Sequence, residues 1–351
     1  SLAKEQTLWR VELMDLPAHG QALPQTLPEP EVAGECLAWR DGEWFCQRLL
    51  PLAEREPAEA GAVQYREGGV YVVIGGAGDI GQVWTRHLIS HWRARVVWLG
   101  RRTADDRIKH SLEQLARLAR QHNAAPPLYI QADATDIGQL TQARQHVLEA
   151  CGPINGWVHS ALVLDDGRLA QMDEAQFSAV FDAKRLSSSA LAQVCAAADN
   201  PALDFVLFFA SMMSFTSAAG QSNYAAGCTF ADAFADQLRA QWACPVKVIN
   251  WGYWGGVGSV SDPRYRERMT ALGLGSIEPE EGLRALDQLL AGGLDQLALL
   301  KLLHNPQVDG FDSLAGLLGN EQIVLCADNP GAMAAMQDRL QHRLAALAAI
   351  T

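Results

Sequence analysis

The chain has 351 residues, 49% of them hydrophobic and 19% charged, with a formal net charge of -12. That length buries a sizeable core in one large domain or two small ones, and the acidic balance disfavours non-specific binding to nucleic acid or to an anionic membrane surface. The seven cysteines, an odd number without CxxC or Cys/His ligand spacing, argue against a complete disulfide framework and a metal site, and they suit a reducing cytoplasm.

The first residues, SLAKEQTLWRVELMDLP, lack the basic region and apolar run of a signal peptide. The longest apolar runs, such as 205–210, are strand-sized and fall short of the ~20 residues that span a bilayer. Residues 1–66 differ in pattern from the rest of the chain. Positions 8–13 alternate like a strand, prolines at 17, 24, 28 and 30 mark a loop, and 37–49 reads as a hairpin turning at Asp41-Gly42.

From about Gly68 the pattern becomes strand, helix, strand, helix. Expected strands are 70–74, 95–99, 128–131, 156–159, 205–209, 246–251 and 297–301. Expected helices are 82–92, 111–121, 137–150, 173–197, 224–241, 263–272 and 279–291. Near-continuous apolar strands alternating with helices predict an α/β fold with a parallel sheet covered on both faces, doubly wound in the Rossmann manner. Residues 305–351 read as a polar loop and an alanine-rich helix over 332–349.

The segment Gly75-Gly76-Ala77-Gly78-Asp79-Ile80-Gly81 comes after the first of these strands and opens a helix. That context makes a GxGxxG informative: glycines let the backbone approach a pyrophosphate, and the helix N-terminus supplies N–H donors. The second strand ends at Arg101 and Arg102, where a carboxylate would accept the ribose of NAD. Two arginines there suit the 2′-phosphate of NADPH. Asp133 and Ala134 come after the third strand and are expected at the adenine edge. Ser160 and Ala161 come after the fourth, beside the nicotinamide ribose.

Carbonyl reduction also needs an oxyanion partner and a proton donor. Ser211, after the strand at 205–210, is placed to hydrogen-bond a carbonyl. Tyr224, expected to open the next helix, is placed to donate a proton. Lys184 on the preceding helix is expected to lower the tyrosine pKa.

Together these segments resemble the ketoreductase domains of modular polyketide synthases, in the short-chain dehydrogenase/reductase superfamily. The segments that carry the likeness are GGAGDIG at 75–81, ADATD at 132–136, HSALVLDDGRL at 159–169, FDAKR at 181–185, FFASMMSF at 208–215, GQSNYAAGCTFADAFA at 220–235 and NWGYWGGVG at 250–258. The likeness covers about residues 37–302, and the last two segments are most similar to ketoreductases of trans-acyltransferase assembly lines. It implies Lys184, Ser211 and Tyr224 as catalytic, with Cys228 at a fourth position that is commonly asparagine. It implies a domain organisation of 1–66 as the closing part of a structural subdomain plus linker, 67–302 as the catalytic unit, and 303–351 as a C-terminal linker and helix.

The resemblance also implies a substrate and a stereochemistry. Leu164-Asp165-Asp166 matches the LDD motif of B-type members, and Thr216 stands where A-type members carry tryptophan, so a D-configured β-hydroxyl is expected. Ala226 stands where the subtype that favours an inverted α-substituent usually has proline, so B1-like behaviour is expected. Met212, Met213, Phe215 and the segment 251–269 are expected to line the acyl chain. The substrate is then a β-ketoacyl thioester on an acyl carrier protein, with neighbouring synthase domains as partners. The alternative is a catalytically inactive structural domain of the synthase.

Overall fold

The computed structural model describes residues 2–16, 36–40, 43–46, 50–51, 65–196, 203–216, 218–256, 263–303 and 322–327. The predicted helix at 332–349, the loop prolines before 35 and the turn at Asp41-Gly42 lie outside the described residues.

The elements run in chain order as α1 (Leu2–Glu5), β1 (Leu13–Asp15), β2 (Cys36–Arg40), β3 (Glu43–Cys46), β4 (Leu50–Pro51), β5 (Val70–Ile74), α2 (Asp79–Trp92), β6 (Arg95–Gly100), α3 (Asp106–Gln121), β7 (Leu128–Gln131), α4 (Ile137–Cys151) and β8 (Gly156–His159). A 3-10 turn at Leu169–Gln171 comes next. There follow α5 (Glu174–Ala196), β9 (Phe205–Ser211), α6 (Met213–Thr216), α7 (Ser222–Gln241), β10 (Val246–Trp251), α8 (Pro263–Ala271), β11 (Leu274–Gly275), α9 (Pro279–Ala291), β12 (Gln296–Leu302) and β13 (Gln322–Ala327).

Among the described residues a ten-stranded sheet runs β4-β13-β12-β10-β9-β8-β5-β6-β7, with β11 paired to β12. The stretch from β12 to β7 is parallel throughout. Chain order along it reverses between β5 and β8, and such a switch point opens a crevice outside the carboxyl ends of the strands. β5, β8, β9 and β10 are buried at every position, as expected where helices cover both faces. One core, around Val72, Trp157, Phe208 and Leu140, lies on one face. The other, around Trp84, Trp98, Leu207 and Leu289, lies on the opposite face.

Two expectations are corrected. Residues 8–13 do not form a strand: Leu8 and Trp9 lie in a turn, 97% and 63% exposed, and the strand there is β1. The alternation was real but had no sheet face to bury it. Residues 322–327, expected within a polar loop, form β13, which pairs antiparallel with both β12 and β4. The hairpin strands expected on either side of positions 41–42 are present as β2 and β3. They pair antiparallel, and β1 adds parallel to β2, in a separate three-stranded sheet.

Candidate active site

A cleft of about 980 Å³ opens at the switch point, and both halves of the predicted chemistry line it. At the dinucleotide end, Gly75 takes φ +81 and its N–H donates to Leu99 O at 2.8 Å. A Cβ at Gly75 would sit 2.6 Å from Ser160 O, so the loops after β5 and β8 close together only over a glycine. At Gly81 a Cβ would meet Gly76 O at 2.5 Å, so the first turn of α2 lies against the loop. Gly78 caps α2 without a side-chain bond, leaving the first helical N–H groups facing a cleft lined by Ala77, Asp79 and Ile80. This glycine-closed cradle fits a pyrophosphate.

The charges around the cradle are specific. Asp79, an anion at the phosphate-binding end, is paired with Arg107 Nη2 at 2.8 Å. Arg107 was not singled out from sequence, because it lies on α3, 28 residues away. Arg102 reaches Asp105 at 3.6 Å, and Asp105 in turn caps α3 by accepting from Ile108 N–H. Arg101 is exposed and lines the cleft. Asp133 lines the cleft too, held by Thr135 N–H and Oγ1 at 2.9 and 2.7 Å. Ala134, Ser160 and Ala161 complete that wall.

At the other end, Ser211 is the last residue of β9 rather than the one after it, and Tyr224 sits in the first turn of α7 rather than opening it. Ser211 Oγ donates to Trp251 O at 3.5 Å and accepts from Met213 N–H at 3.2 Å, and the Tyr224 phenol neighbours Ser211 and, one helical turn on, the Cys228 thiol. Burial, then the neighbouring Cys228, hold the phenol well above its ordinary 10.0, and the Ser211 hydroxyl pulls it back. Cys228 is fully buried and is pushed up to about 11, first by burial, while Lys184 opposes that shift.

Lys184 is buried, at 3% exposure, and Nζ donates to Phe209 O at 2.9 Å. It lies over Gly227, where a Cβ would meet its stem at 3.5 Å. The expected lowering of the Tyr224 pKa by Lys184 is not what the geometry gives. The ammonium acts on Cys228 and on His159, and Tyr224 feels Cys228, Ser211 and Tyr265.

Sequence reading missed the polar support beneath this site. Asn250 at the end of β10 donates to Ser211 O at 3.1 Å and to Asp232 at 2.9 Å, and accepts from Gln296 at 2.8 Å. Asp232 stands two turns after Tyr224 on α7. The register of β9 against β10 places Asn250 beside Ala210, a pairing that only the fold supplies.

The loop after β8 separates the roles of its carboxylates. Leu164 and Asp166 line the cleft, and Asp166 accepts from Gln221 Nε2 at 2.8 Å. Asp165, expected at the substrate, is not among the lining residues. Its carboxylate and carbonyl bind Gln176, and its carbonyl accepts from Asn223 Nδ2 at 2.9 Å. Met212 and Met213 line the cleft as expected. Phe215 does not line it, and packs instead with Met212, Leu300 and Leu302. Tyr253, Trp254, Tyr265 and Met269 form the wall toward α8.

A family model described as KR domain matches residues 69–256, more than half of the chain. Polyketide synthase PksN of Bacillus subtilis (strain 168) is 44% identical over 304 residues, 86% of this chain and 5% of that protein. Polyketide synthase PksM of the same organism is 39% identical over 351 residues, 98% of this chain and 8% of that protein. The chain therefore spans a small fraction of the length of these curated relatives. A solved ketoreductase from the first module of phoslactomycin biosynthesis in Streptomyces sp. HK803 shares the fold, with a TM-score of 0.74 at 23% identity, covering 89% of this chain and 73% of that one. The glycine cradle, the Ser211–Tyr224–Cys228 cluster and the family match converge: the chain belongs to the KR domain family, the ketoreductase domains of polyketide synthases.

Proposed function

We propose that this domain reduces the β-keto group of an acyl thioester carried on the phosphopantetheine arm of an acyl carrier protein, using NADPH, within a cytoplasmic and trans-acyltransferase polyketide synthase. The observation that carries the reading is the single cleft that joins a glycine-closed cradle to Ser211 and Tyr224. When bound, the nicotinamide supplies the hydride that adds to C3. Ser211 holds the carbonyl oxygen. Tyr224 donates its phenolic proton to that oxygen, so the C=O becomes a CH–OH and a phenolate is left on the enzyme. The raised pKa keeps the donor protonated through neutral pH.

Lys184 supports the donor indirectly. Its cation favours negative charge on Cys228, whose thiol neighbours the Tyr224 hydroxyl. Arg101 is the better placed of the two arginines for a 2′-phosphate, because Arg102 already reaches Asp105. Leu164, Asp165 and Asp166, with Thr216 and Ala226, support B-type reduction to a D-configured hydroxyl, of the B1 kind.

The experiment is turnover of a β-ketoacyl N-acetylcysteamine thioester with NADPH or NADH, followed by chiral separation of the product. Faster oxidation of NADPH and a D-hydroxyacyl product are expected. No turnover with NADPH still bound would instead assign the domain a structural role.

A further inference from the structure

The two sides of the cleft mouth are fastened by a residue from the far N-terminus. Glu5, in α1, accepts from Leu169 N–H at 2.7 Å with Oε2 and from Gly220 N–H at 3.0 Å with Oε1. Leu169 closes the loop that carries Leu164-Asp165-Asp166. Gly220, at φ +81, is the turn that leads into α7 four residues before Tyr224. A single carboxylate therefore spans the loop that faces the substrate and the segment that sets the proton donor. Beside it, Lys4 Nζ donates to the carbonyl of Thr216 at the end of α6, and Ala3 is buried at 6% exposure.

The same two segments also touch directly. Gly167 N–H donates to Gly220 O at 2.9 Å, Gln221 reaches Asp166, and Asn223 reaches the Asp165 carbonyl. These contacts do not reach Leu169, so Glu5 adds the tie there and a second hold on Gly220 through its N–H. Bonds from backbone N–H groups to a carboxylate are charge-assisted and stronger than neutral ones. Losing the carboxylate leaves two part-buried N–H donors without their acceptor. The loop and the α7 entry then move relative to each other at the point where the carbonyl face is chosen.

We infer that Glu5 is a positioning residue for stereochemical control: its carboxylate fixes the 164–169 loop against the turn before Tyr224, so that one face of the ketone is presented. The inference rests on the reductase reading for its consequence and on backbone geometry for its cause, and the two are tested separately. Hydrogen–deuterium exchange is measured on wild type, Glu5→Ala and Glu5→Gln, together with NADPH affinity, Tm and the D:L ratio of the hydroxyacyl product. Glu5→Ala is expected to speed exchange about tenfold at the Leu169 and Gly220 amides and to raise the minor epimer several-fold. NADPH affinity should be unchanged, and Glu5→Gln, which keeps one acceptor oxygen, should fall between. Should Glu5→Ala fail to fold, Glu5→Gln carries the same comparison. Wild-type exchange at both amides in the variants overturns the inference. So does a lowered Tm with an unchanged epimer ratio, which makes Glu5 structural only. If wild type reduces nothing, the reductase reading fails by itself, and the clamp stands or falls on exchange alone.

Discussion

Tyr224, Cys228 and Asp232 stand four residues apart on α7, so they share one face of that helix. The Tyr224 phenol neighbours both Ser211 and Cys228, and Asn250 beneath ties the Ser211 carbonyl to Asp232. A thiol is a weak acceptor and an amide oxygen a good one, so Cys228→Asn sets a good acceptor beside the Tyr224 hydroxyl. Its kcat with a β-ketoacyl thioester should stay within about tenfold of wild type, a change of about 1.4 kcal/mol. A collapse in rate would give the thiol a role that an amide cannot fill. That Ser211, Tyr224 and Lys184 would share one cleft was legible because Ser211 ends a strand, Tyr224 lies at a helix start, and Lys184 sits in the FDAKR segment of the preceding helix. Asn250 and Asp232 were not, because their pairing depends on how β10 packs against α7.

The central strands were read closely because β5, β8, β9 and β10 are buried on both faces and therefore write near-continuous apolar runs. Three helix starts were read late: α3 begins at Asp106 rather than 111, α2 at Asp79 rather than 82, and α7 at Ser222 rather than 224. First turns carry polar capping residues such as Asp105, which carry no hydrophobic period. At the start of α2 the decisive feature is closeness rather than periodicity. Adding a Cβ at Gly81, 2.5 Å from Gly76 O, forces the helix away from its loop. Gly81→Ala should cost about 1–3 kcal/mol of stability and weaken NADPH binding about tenfold, as read by cofactor fluorescence titration. Unchanged affinity would mean that the α2 N-terminus does not cradle the phosphates.

The parallel sheet with its reversal between β5 and β8 followed from the alternation of apolar strands and helices. The edge strands β13 and β4 did not. Neither run is long or clearly patterned, and they join by pairing Pro51 with Cys326 and Leu50 with Ala327, far apart in the chain. Burial in this sheet has a consequence for acid stability. His159, at the end of β8, is fully buried beside Lys184, bonds Ser187 Oγ at 2.6 Å, and is depressed from 6.5 to about 3, mainly by burial. Below pH 6.5 the unfolded chain takes up a proton that the folded chain refuses, so stability falls as pH drops from 6.5 toward 3. The loss is about 2 kcal/mol by about pH 5 from this group. Urea unfolding near neutral pH and at about pH 5 should show it in wild type and lose most of it in His159→Gln; an equal slope in both would contradict the assignment.

The most direct measurement compares wild type with Tyr224→Phe for reduction of a β-ketoacyl thioester and for NADPH binding. Removing a general acid costs about 100-fold or more in rate. Phenylalanine keeps the ring that packs beside Ser211 and the α7 entry. Turnover should therefore fall at least about 100-fold while NADPH affinity changes less than about twofold. Turnover retained in Tyr224→Phe would contradict the proton-donor assignment and, with it, the central reading of the cleft.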